Sequence, residues 1–370
     1  MADQTAATGN VFSGPLTVYK LPRLVAAGSS AVAMAALHQA SPVAGIIGGV
    51  GLVASAAAQY AVHTLFPLEP VRRFADVPRE RWASCHDQHN IAELLHEQRY
   101  HVGMRHLPGE RGTRPHVTVF YPTDTAPCDG ETPCYVPFAD PRFSKGFTDY
   151  GRAPAFVGAH HVDIRMHMTR NASLAKDAAG NDAATCKLGS KEHPIVLFSH
   201  GLAGHQHMYA AYAADLAANG AVVLALQHTD GSAAFALEQP EGTTDGEVVP
   251  AARQEPITYR APPPSGTDAE LEFRQTQLLR KRVPELQHVM RFVAAGRLHD
   301  ALHCPAGSFA AQYTAKKRPV PIALIGHSFG GATVVAASAL HPPRKIPTDL
   351  DGPWMTDLRK TVTVSACVSL

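Results

Sequence analysis

Between residues 194 and 226, short apolar runs alternate with a helical pattern. Two continuous apolar runs, 194–198 (PIVLF) and 221–226 (AVVLAL), are typical of strands buried on both faces. Between them, residues 208–218 carry Leu, Tyr and Ala at helical spacing and stop at Asn219-Gly220, a helix C-terminal signal. A strand, a helix and a strand joined by short connections predict a βαβ unit, and therefore a buried parallel sheet.

Four further runs predict strands on either side of this unit. Residues 116–121 (HVTVFY) and the alternating residues 162–168 precede it. Residues 321–325 (PIALI) and 361–370 (TVTVSACVSL) follow it. The predicted fold class is therefore α/β, with a mostly parallel central sheet.

Two helices and one long connection complete the predicted domain. Residues 270–293 have apolar positions at helical spacing, with a kink expected at Pro284. Residues 332–340 predict a second helix. The polar stretch 231–268, rich in Pro, Gly and Glu, is interpreted as a surface loop or insertion.

Residues 24–68 contain no Asp, Glu, Lys or Arg. Within them, residues 43–62 form an apolar run long enough to span a hydrocarbon core of roughly 30 Å. Basic residues flank the segment on both sides, as in a membrane hairpin with both ends in the cytosol. A signal peptide and a Gly/Ala-rich helical pair packed on the protein are the alternatives.

The predicted organisation is an N-terminal tail at 1–23, the uncharged segment at 24–68 and an α/β domain at 70–370. Membrane association is predicted ahead of a cytoplasmic location, and both ahead of secretion. A net charge of +1 removes the electrostatic argument for nucleic acid as a ligand. The six cysteines include no Cys-x-x-Cys pair, so no zinc ribbon is indicated, and no cofactor or metal is predicted.

The sequence Gly326-His327-Ser328-Phe329-Gly330 stands directly between a predicted apolar strand and a predicted helix. This is the context that a nucleophile elbow requires, because the chain must reverse sharply while the strand and helix backbones nearly touch. Ser328 is therefore the candidate nucleophile, with glycines removing the side chains that would clash. The alternative is an ordinary Gly-rich turn with a capping serine.

A second motif, Ser199-His200-Gly201-Leu202, follows the strand at 194–198. A serine hydrolase needs two N–H groups aimed at the oxyanion of its tetrahedral intermediate. The backbone amides of Phe329, directly after the nucleophile, and of Leu202 are the candidates. His200 precedes Ser328 in the chain, whereas the base of this architecture follows the nucleophile, so His200 is interpreted as ordering the loop.

Residues 198–233 (FSHGLAGHQHMYAAYAADLAANGAVVLALQHTDGSA) and 322–335 (IALIGHSFGGATVV) resemble the platelet-activating factor acetylhydrolase family, its plasma and intracellular type II enzymes. The family pattern FSHGLG, then a helix, then a strand ending in Glu-His-Arg-Asp, is matched with departures. Gln227 stands for the Glu and Thr229 for the Arg, while the His and Asp are kept. The resemblance covers about residues 95–370.

This resemblance implies an α/β-hydrolase that cleaves the sn-2 acetyl or short acyl ester of platelet-activating factor-like phospholipids, without calcium. It implies Ser328 as nucleophile, the amides of Leu202 and Phe329 as the oxyanion hole, and a phospholipid substrate met at a membrane. The alternatives are another esterase or lipase, similar to dienelactone hydrolase, and a non-catalytic lipid-binding pseudo-enzyme.

In the family, the triad Asp follows the strand after the elbow helix, and the His comes later still. Here that strand is 361–370, where the sequence stops. The sequence therefore predicts a fragment in which the acid and base are not in this chain and the C-terminal part of the fold is missing. The residues within the chain that fit these roles badly are His341, Asp349, Asp351 and Asp357.

Overall fold

The computed structural model describes residues 99–109, 114–126, 134–135, 139–154, 158, 161, 166–182, 185–240, 243, 249–340 and 362–369. The described residues belong to two compact units, one containing those from 139 to 161 and the other containing all the rest. The tail at 1–23, the uncharged segment at 24–68 and residues 341–361 lie outside the described residues.

Among its described residues, the larger unit contains ten strands. Eight of them form one sheet with the order β10-β9-β5-β6-β2-β1-β4-β3, and β7 and β8 form a separate antiparallel pair. In chain order the strands are β1 His101–Leu107, β2 Val117–Thr123, β3 Cys134–Tyr135, β4 Met166–Arg170, β5 Ile195–Ser199, β6 Val222–Leu226, β7 Phe235–Glu238, β8 Glu255–Thr258, β9 Val320–Gly326 and β10 Val362–Ser369.

The strands β10, β9, β5 and β6 are mutually parallel neighbours. They correspond to the predicted runs at 361–370, 321–325, 194–198 and 221–226, so the parallel core of the sheet is confirmed. Strand β2 is antiparallel to both its neighbours, and β3 is antiparallel to β4. The fold class is therefore α/β with a mostly parallel central sheet, as the sequence indicates.

Seven helices are present among the described residues. Helix α1 lies in the smaller unit, where Asp140 caps it by accepting a hydrogen bond from the amide of Arg142 at 3.0 Å. All the others lie in the larger unit. The helices are α1 Pro141–Tyr150, α2 Lys176–Ala179, α3 Ala210–Ala218, α4 Asp268–Gln277, α5 Val283–Ala294, α6 Arg297–Ala301 and α7 Phe329–Leu340.

The helix predicted over 270–293 is interrupted. Helices α4 and α5 are joined by a π-helical turn at Leu278–Arg282, and Pro284 lies in the first turn of α5. Proline has no N–H to donate, so its position at the start of a new helix is favourable. The π-helical turn buries Arg282, and such turns are frequent at functional sites.

Successive residues of the central strands enter two different hydrophobic cores. In β5, Ile195 and Leu197 pack in the core that contains α5, while Val196 and Phe198 pack in the core that contains α3. Both faces of this strand are therefore covered by helices, which is why its first four residues are all apolar.

The prediction of a surface loop over 231–268 is wrong for its first part. Ser232, Ala233 and Ala234 are at most 2% exposed, and β7 then pairs with β8. Small side chains let this segment pack closely, and the Ser232 hydroxyl is hydrogen-bonded, so burying it is not costly.

No helix among the described residues is long and apolar enough to cross a membrane. Of the predicted strand at 162–168, residues 166–168 belong to β4, Met166–Arg170, and residues 162–165 lie outside the described residues.

Candidate active site

Ser328 lies on the turn between β9 and α7 and is exposed. Its backbone φ is +54°, in the left-handed region that non-glycine residues seldom adopt. This conformation places the side chain at the carboxyl edge of the parallel sheet, beside the N-terminus of α7. The geometry is that of a nucleophile elbow.

Two glycines allow the backbones at this turn to meet. A Cβ added at Gly326 would stand 2.1 Å from the carbonyl oxygen of Gly330. A Cβ added at Gly330 would stand 2.0 Å from the carbonyl oxygen of Ser199, at the end of β5. Real Cβ atoms do not approach so closely, so both positions require glycine, as the sequence motif indicates.

The loop after β5 lies against the elbow. A Cβ added at Gly201 would stand 3.3 Å from the Cβ of Ser328. Leu202 follows directly and is half-buried, and Phe329 is the first residue of α7. The first amides of an α-helix have no intrahelical acceptor. The structure therefore brings the two segments that carry the predicted oxyanion donors to either side of Ser328.

His200 is buried beneath this loop, and both its ring nitrogens are hydrogen-bonded. Its Nε2 accepts from the backbone N–H of His228 at 3.2 Å, so the ring proton is on Nδ1 and is donated to the carbonyl of Gly201 at 2.8 Å. Burial, and next the charge of Arg282, hold the pKa of His200 well below its usual value. A neutral, doubly bonded imidazole is suited to holding the loop in place.

Arg282 connects the loop to the elbow from the buried side. Its guanidinium donates to the carbonyl of His200 at 2.7 Å and forms a buried ion pair with Asp230 at 3.0 Å. It also donates to the Ser232 hydroxyl at 2.6 Å and stacks on the ring of Phe329, 4.6 Å from the ring centroid. One side chain thus fixes the residues that precede Leu202 and that follow Ser328.

A second buried chain of hydrogen bonds runs from β5 to α5. The hydroxyl of Ser199 lies 2.8 Å from Nε2 of His228, whose Nδ1 lies 2.6 Å from Oε2 of Glu285. Thr229 donates its N–H and its hydroxyl to the other carboxylate oxygen, at 3.0 and 2.5 Å. Burial lowers the pKa of His228 and raises the pKa of Glu285.

This Ser-His-Glu chain has the hydrogen-bond order of a catalytic triad, but it is inaccessible to a substrate. Ser199 and His228 are both 0% exposed. Ser328, the exposed serine, has no hydrogen-bonded histidine within the part of the chain that the structure describes; its neighbour His327 bonds through Nδ1 to the Tyr209 hydroxyl at 2.9 Å. The buried chain therefore supports the end of β5 and does not activate Ser328.

Sequence reasoning did not identify Arg282 and Glu285. A signal for them was present, because they lie on the same face of the helical pattern as Leu278, Leu286 and Val289. A charged residue on an otherwise apolar helix face is buried only where a group that pairs with its charge is buried beside it. His205 and His207 lie between β5 and α3. Among the described residues, no group of three or more His, Cys, Asp or Glu side chains could hold a metal ion.

Residues 92–368 match the protein family described as platelet-activating factor acetylhydrolase, isoform II. The chain belongs to this family. The matched region contains the elbow, the loop after β5 and both buried networks.

The relatives that carry the name platelet-activating factor acetylhydrolase include proteins from three mammals. The Cavia porcellus protein is 26% identical over 259 residues, which cover 69% of this chain and 54% of that protein. The Bos taurus protein is 29% identical over 184 residues, covering 49% and 39%. The Canis lupus familiaris protein is 30% identical over 172 residues, covering 45% and 36%. The chain thus spans about half the length of these relatives, or less.

A solved structure of a ferulic acid esterase from Streptomyces cinnamoneus covers 73% of this chain and 73% of its own, with a TM-score of 0.37 and 17% identity. A likeness of that size bears on neither the fold nor the function of the chain.

The departures from the acetylhydrolase family pattern fall within the buried networks. Thr229 occupies the position at which the family pattern has Arg, and it donates hydrogen bonds to Glu285 from both its N–H and its hydroxyl. Where the pattern has Glu, Gln227 is 1% exposed and its Oε1 accepts from the amide of Gln206 at 3.3 Å. His228 and Asp230, which follow the family pattern, are the partners of Glu285 and Arg282. The kept residues are therefore those that hold the site together.

Proposed function

We propose that this protein is a carboxylic ester hydrolase whose nucleophile is Ser328. The observation that carries the proposal is the exposed Ser328 at φ +54°, on a strand-to-helix turn where two glycines let three backbones meet. Holding a serine in this conformation does not stabilise the fold, because the left-handed region is strained for any residue with a Cβ.

In the proposed reaction, the Ser328 Oγ attacks the ester carbonyl carbon and its proton passes to a general base. The carbonyl oxygen becomes an oxyanion, which accepts hydrogen bonds from the amides of Leu202 and Phe329. Collapse of the intermediate expels the alcohol, which takes up the proton, and water then hydrolyses the acyl-enzyme. The proposal assigns to the described residues the nucleophile and the two oxyanion donors.

The proposed substrate is a phospholipid of the platelet-activating factor type, cleaved at its sn-2 acetyl or short acyl ester. Support comes from membership of the family and from three relatives that carry the name of this activity. Contact with a membrane surface through the uncharged segment at 24–68 belongs to the same proposal.

A fluorophosphonate probe tests the nucleophile directly. Mass spectrometry of the labelled protein should place the adduct on Ser328, and Ser328→Ala should abolish both labelling and hydrolysis of a short-chain ester. The matched control is Ser265→Ala, because Ser265 is exposed and distant in sequence from every site segment. An adduct on another serine, or near-complete retention of hydrolysis in Ser328→Ala, would refute the assignment.

The substrate class needs a separate comparison. Hydrolysis of a 2-acetyl phosphatidylcholine should exceed that of a 2-palmitoyl phosphatidylcholine at equal lipid concentration. Labelling at Ser328 without this preference would favour a different esterase or lipase. Lipid binding without labelling would favour the pseudo-enzyme.

A further inference from the structure

A cleft opens at the same edge of the central sheet as Ser328. It is built by residues after β1 and β6, before β2, at the end of β7, and in the π-helical turn and the first half of α5. It encloses about 470 Å³ including its mouth. Strand β2 is antiparallel to β1 and β6, so its beginning lies where those two strands end. The lining residues are Gly109, Arg114, Pro115, His116, Thr229, Leu237, Glu238, Gln239, Arg280, Lys281, Pro284, Glu285 and His288.

Ligands of open α/β sheets bind at the carboxyl ends of the parallel strands. The cleft has that position beside β6, whereas Ser328 follows β9, and β5 lies between those two strands. Ser328, Leu202 and Phe329 are not among the lining residues. The cleft is thus a separate feature of the edge that carries the candidate nucleophile.

His116 contributes a buried donor without a partner. The ring is 3% exposed, and its Nδ1 accepts from the N–H of Gly109 at 3.3 Å. The proton of the neutral ring is therefore on Nε2. Within the described ranges, that Nε2 has no hydrogen-bond partner. A buried N–H in this state needs a ligand or an ordered water to avoid a free-energy cost.

Gln239 is the second such group. Its side chain is 1% exposed, and neither its Nε2 nor its Oε1 has a hydrogen-bond partner among the described residues. The Gln239 side chain therefore offers the cleft two amide N–H donors and one carbonyl acceptor. A ligand that presents both oxygen atoms and a hydroxyl hydrogen would satisfy all of them.

The charges of the cleft favour an anion. Its lining contains three cationic side chains, Arg114, Arg280 and Lys281, and two carboxyl groups, those of Glu238 and Glu285. Glu285 is already engaged by His228 and Thr229. Arg280 and Lys281 are exposed at the rim, where a cation can attract an anion from solution without the cost of its own burial.

We propose that this cleft binds a phosphate-type oxyanion. His116 Nε2–H and the Gln239 amide donate to its oxygens, Arg280 and Lys281 supply the charge, and where the ligand is a free hydrogen phosphate its P–OH donates to Gln239 Oε1. The shared chemistry is a phosphate group, either free or in the head group of a phospholipid. This inference stands on the cleft alone and does not depend on Ser328 being a nucleophile.

Titration calorimetry at constant ionic strength tests the proposal with two probes, inorganic phosphate and sn-glycero-3-phosphocholine. Saturable binding of at least one probe is expected. Binding of phosphate alone identifies a site for free oxyanions, while binding of the phosphodiester identifies a site for the lipid head group. Absence of saturable binding by both probes would overturn the proposal.

The double variant Arg280→Ala/Lys281→Ala should weaken binding at least about tenfold, because hydrogen bonds and contacts to a charged ligand are lost. The matched control is Lys191→Ala/Lys316→Ala, which removes the same charge from exposed positions outside the cleft. Equal weakening in both variants would show non-specific attraction and contradict a built site.

Gln239→Leu separates a binding role from a structural one. Because the buried amide lacks partners, its replacement by an apolar side chain of similar size should not lower the melting temperature without ligand. The same variant should lose the rise in melting temperature that a saturating probe produces in the parent protein. A lower melting temperature without ligand, or an unchanged response to the probe, would mean that Gln239 does not serve this site.

Discussion

The α-carbon of Gly330 lies directly against the carbonyl group of Ser199. A Cβ added at position 330 would stand 2.0 Å from that oxygen and 2.6 Å from the carbonyl carbon. This contact joins the first turn of α7 to the end of β5. It fixes how far Ser328 stands from the loop that carries Leu202, and so it sets the spacing between the proposed nucleophile and one of its oxyanion donors.

Gly330→Ala should therefore separate α7 from β5. We expect the free energy of unfolding to fall by at least about 2 kcal/mol, because backbone atoms must move to admit the methyl group. Fluorophosphonate labelling of Ser328 should slow as well, because the amides of Leu202 and Phe329, the proposed oxyanion donors, would no longer point at the same oxygen. Urea unfolding and labelling kinetics measure both effects.

Gly151→Ala is the control for the added methyl group. A Cβ at Gly151 would meet only ordinary contacts, at 3.5 Å or more, and its φ of −75° suits alanine. Its free energy of unfolding should change by less than about 1 kcal/mol. If Gly330→Ala behaved in the same way, the close contact with Ser199 would not be essential.

Ser328→Gly should be more stable than Ser328→Ala. Both substitutions remove the hydroxyl, but only glycine adopts a φ of +54° without strain. We expect a difference of about 1 kcal/mol in the free energy of unfolding, from urea titration of the two variants. Equal stability would mean that the turn relaxes when the hydroxyl is removed.

The parallel core of the sheet could be predicted because β5 and β6 are buried at every position and β9 at all but two. Such strands have continuous apolar sequences, and PIVLF, AVVLAL and PIALI correspond to β5, β6 and β9. The elbow could be predicted because its glycines are required by a backbone contact that recurs wherever a strand turns sharply into a helix. Local patterns were sufficient for both.

The buried networks could not be predicted from local pattern, because their partners are distant in sequence. Arg282 reaches residues 200, 230, 232 and 329, and Glu285 reaches residues 228 and 229. Periodicity places both side chains on a buried face but does not identify the groups they meet. The prediction of a surface loop after Gly231 is wrong for a related reason, since the small residues Ser232, Ala233 and Ala234 are buried by partners from other elements.

Arg282→Met should destabilise the protein strongly. The substitution leaves the carboxylate of Asp230 buried at 0% side-chain exposure without its ion-pair partner. Removal of one partner from a buried pair costs about 3–5 kcal/mol. Urea unfolding should show a loss of that size, and Asp230→Asn added to Arg282→Met should recover part of it. The exposed pair of Lys187 and Glu192 is the control, and Lys187→Met should have little effect.

Glu285→Gln tests the second network with almost no change in shape. Both carboxylate oxygens of Glu285 accept hydrogen bonds, one from His228 and the other from Thr229. A glutamine amide offers only one oxygen, so either the two Thr229 donors lose their acceptor, or the amide NH2 faces Nδ1 of His228 and that ring has to change tautomer. We expect a loss of about 1–3 kcal/mol in the free energy of unfolding. The exposed Glu272→Gln should be neutral, and an equal effect there would show that charge alone is responsible.

Stability should fall as the pH is lowered from 7.5 to 5.5, because three histidines are buried in the neutral form. Burial is the main cause that lowers the pKa of His116 to about 3 and the pKa values of His200 and His228 well below 6.5. Below pH 6.5 the unfolded chain takes up protons that the folded state does not, so the free energy of unfolding rises with pH in this window. Glu285, whose pKa is raised, opposes the trend.

Each of these histidines contributes up to about 1.4 kcal/mol between pH 7.5 and pH 5.5, and three of them outweigh one carboxyl group. The net loss in the free energy of unfolding should therefore be about 1–4 kcal/mol, measured by urea titration at the two pH values. His116→Gln removes one titrating group, so its own loss over the same range should be smaller by about 1.4 kcal/mol. A parent protein equally stable at both pH values would show that these imidazoles gain protons in the folded state, which for His200 would break the hydrogen bond that its Nε2 accepts from the N–H of His228.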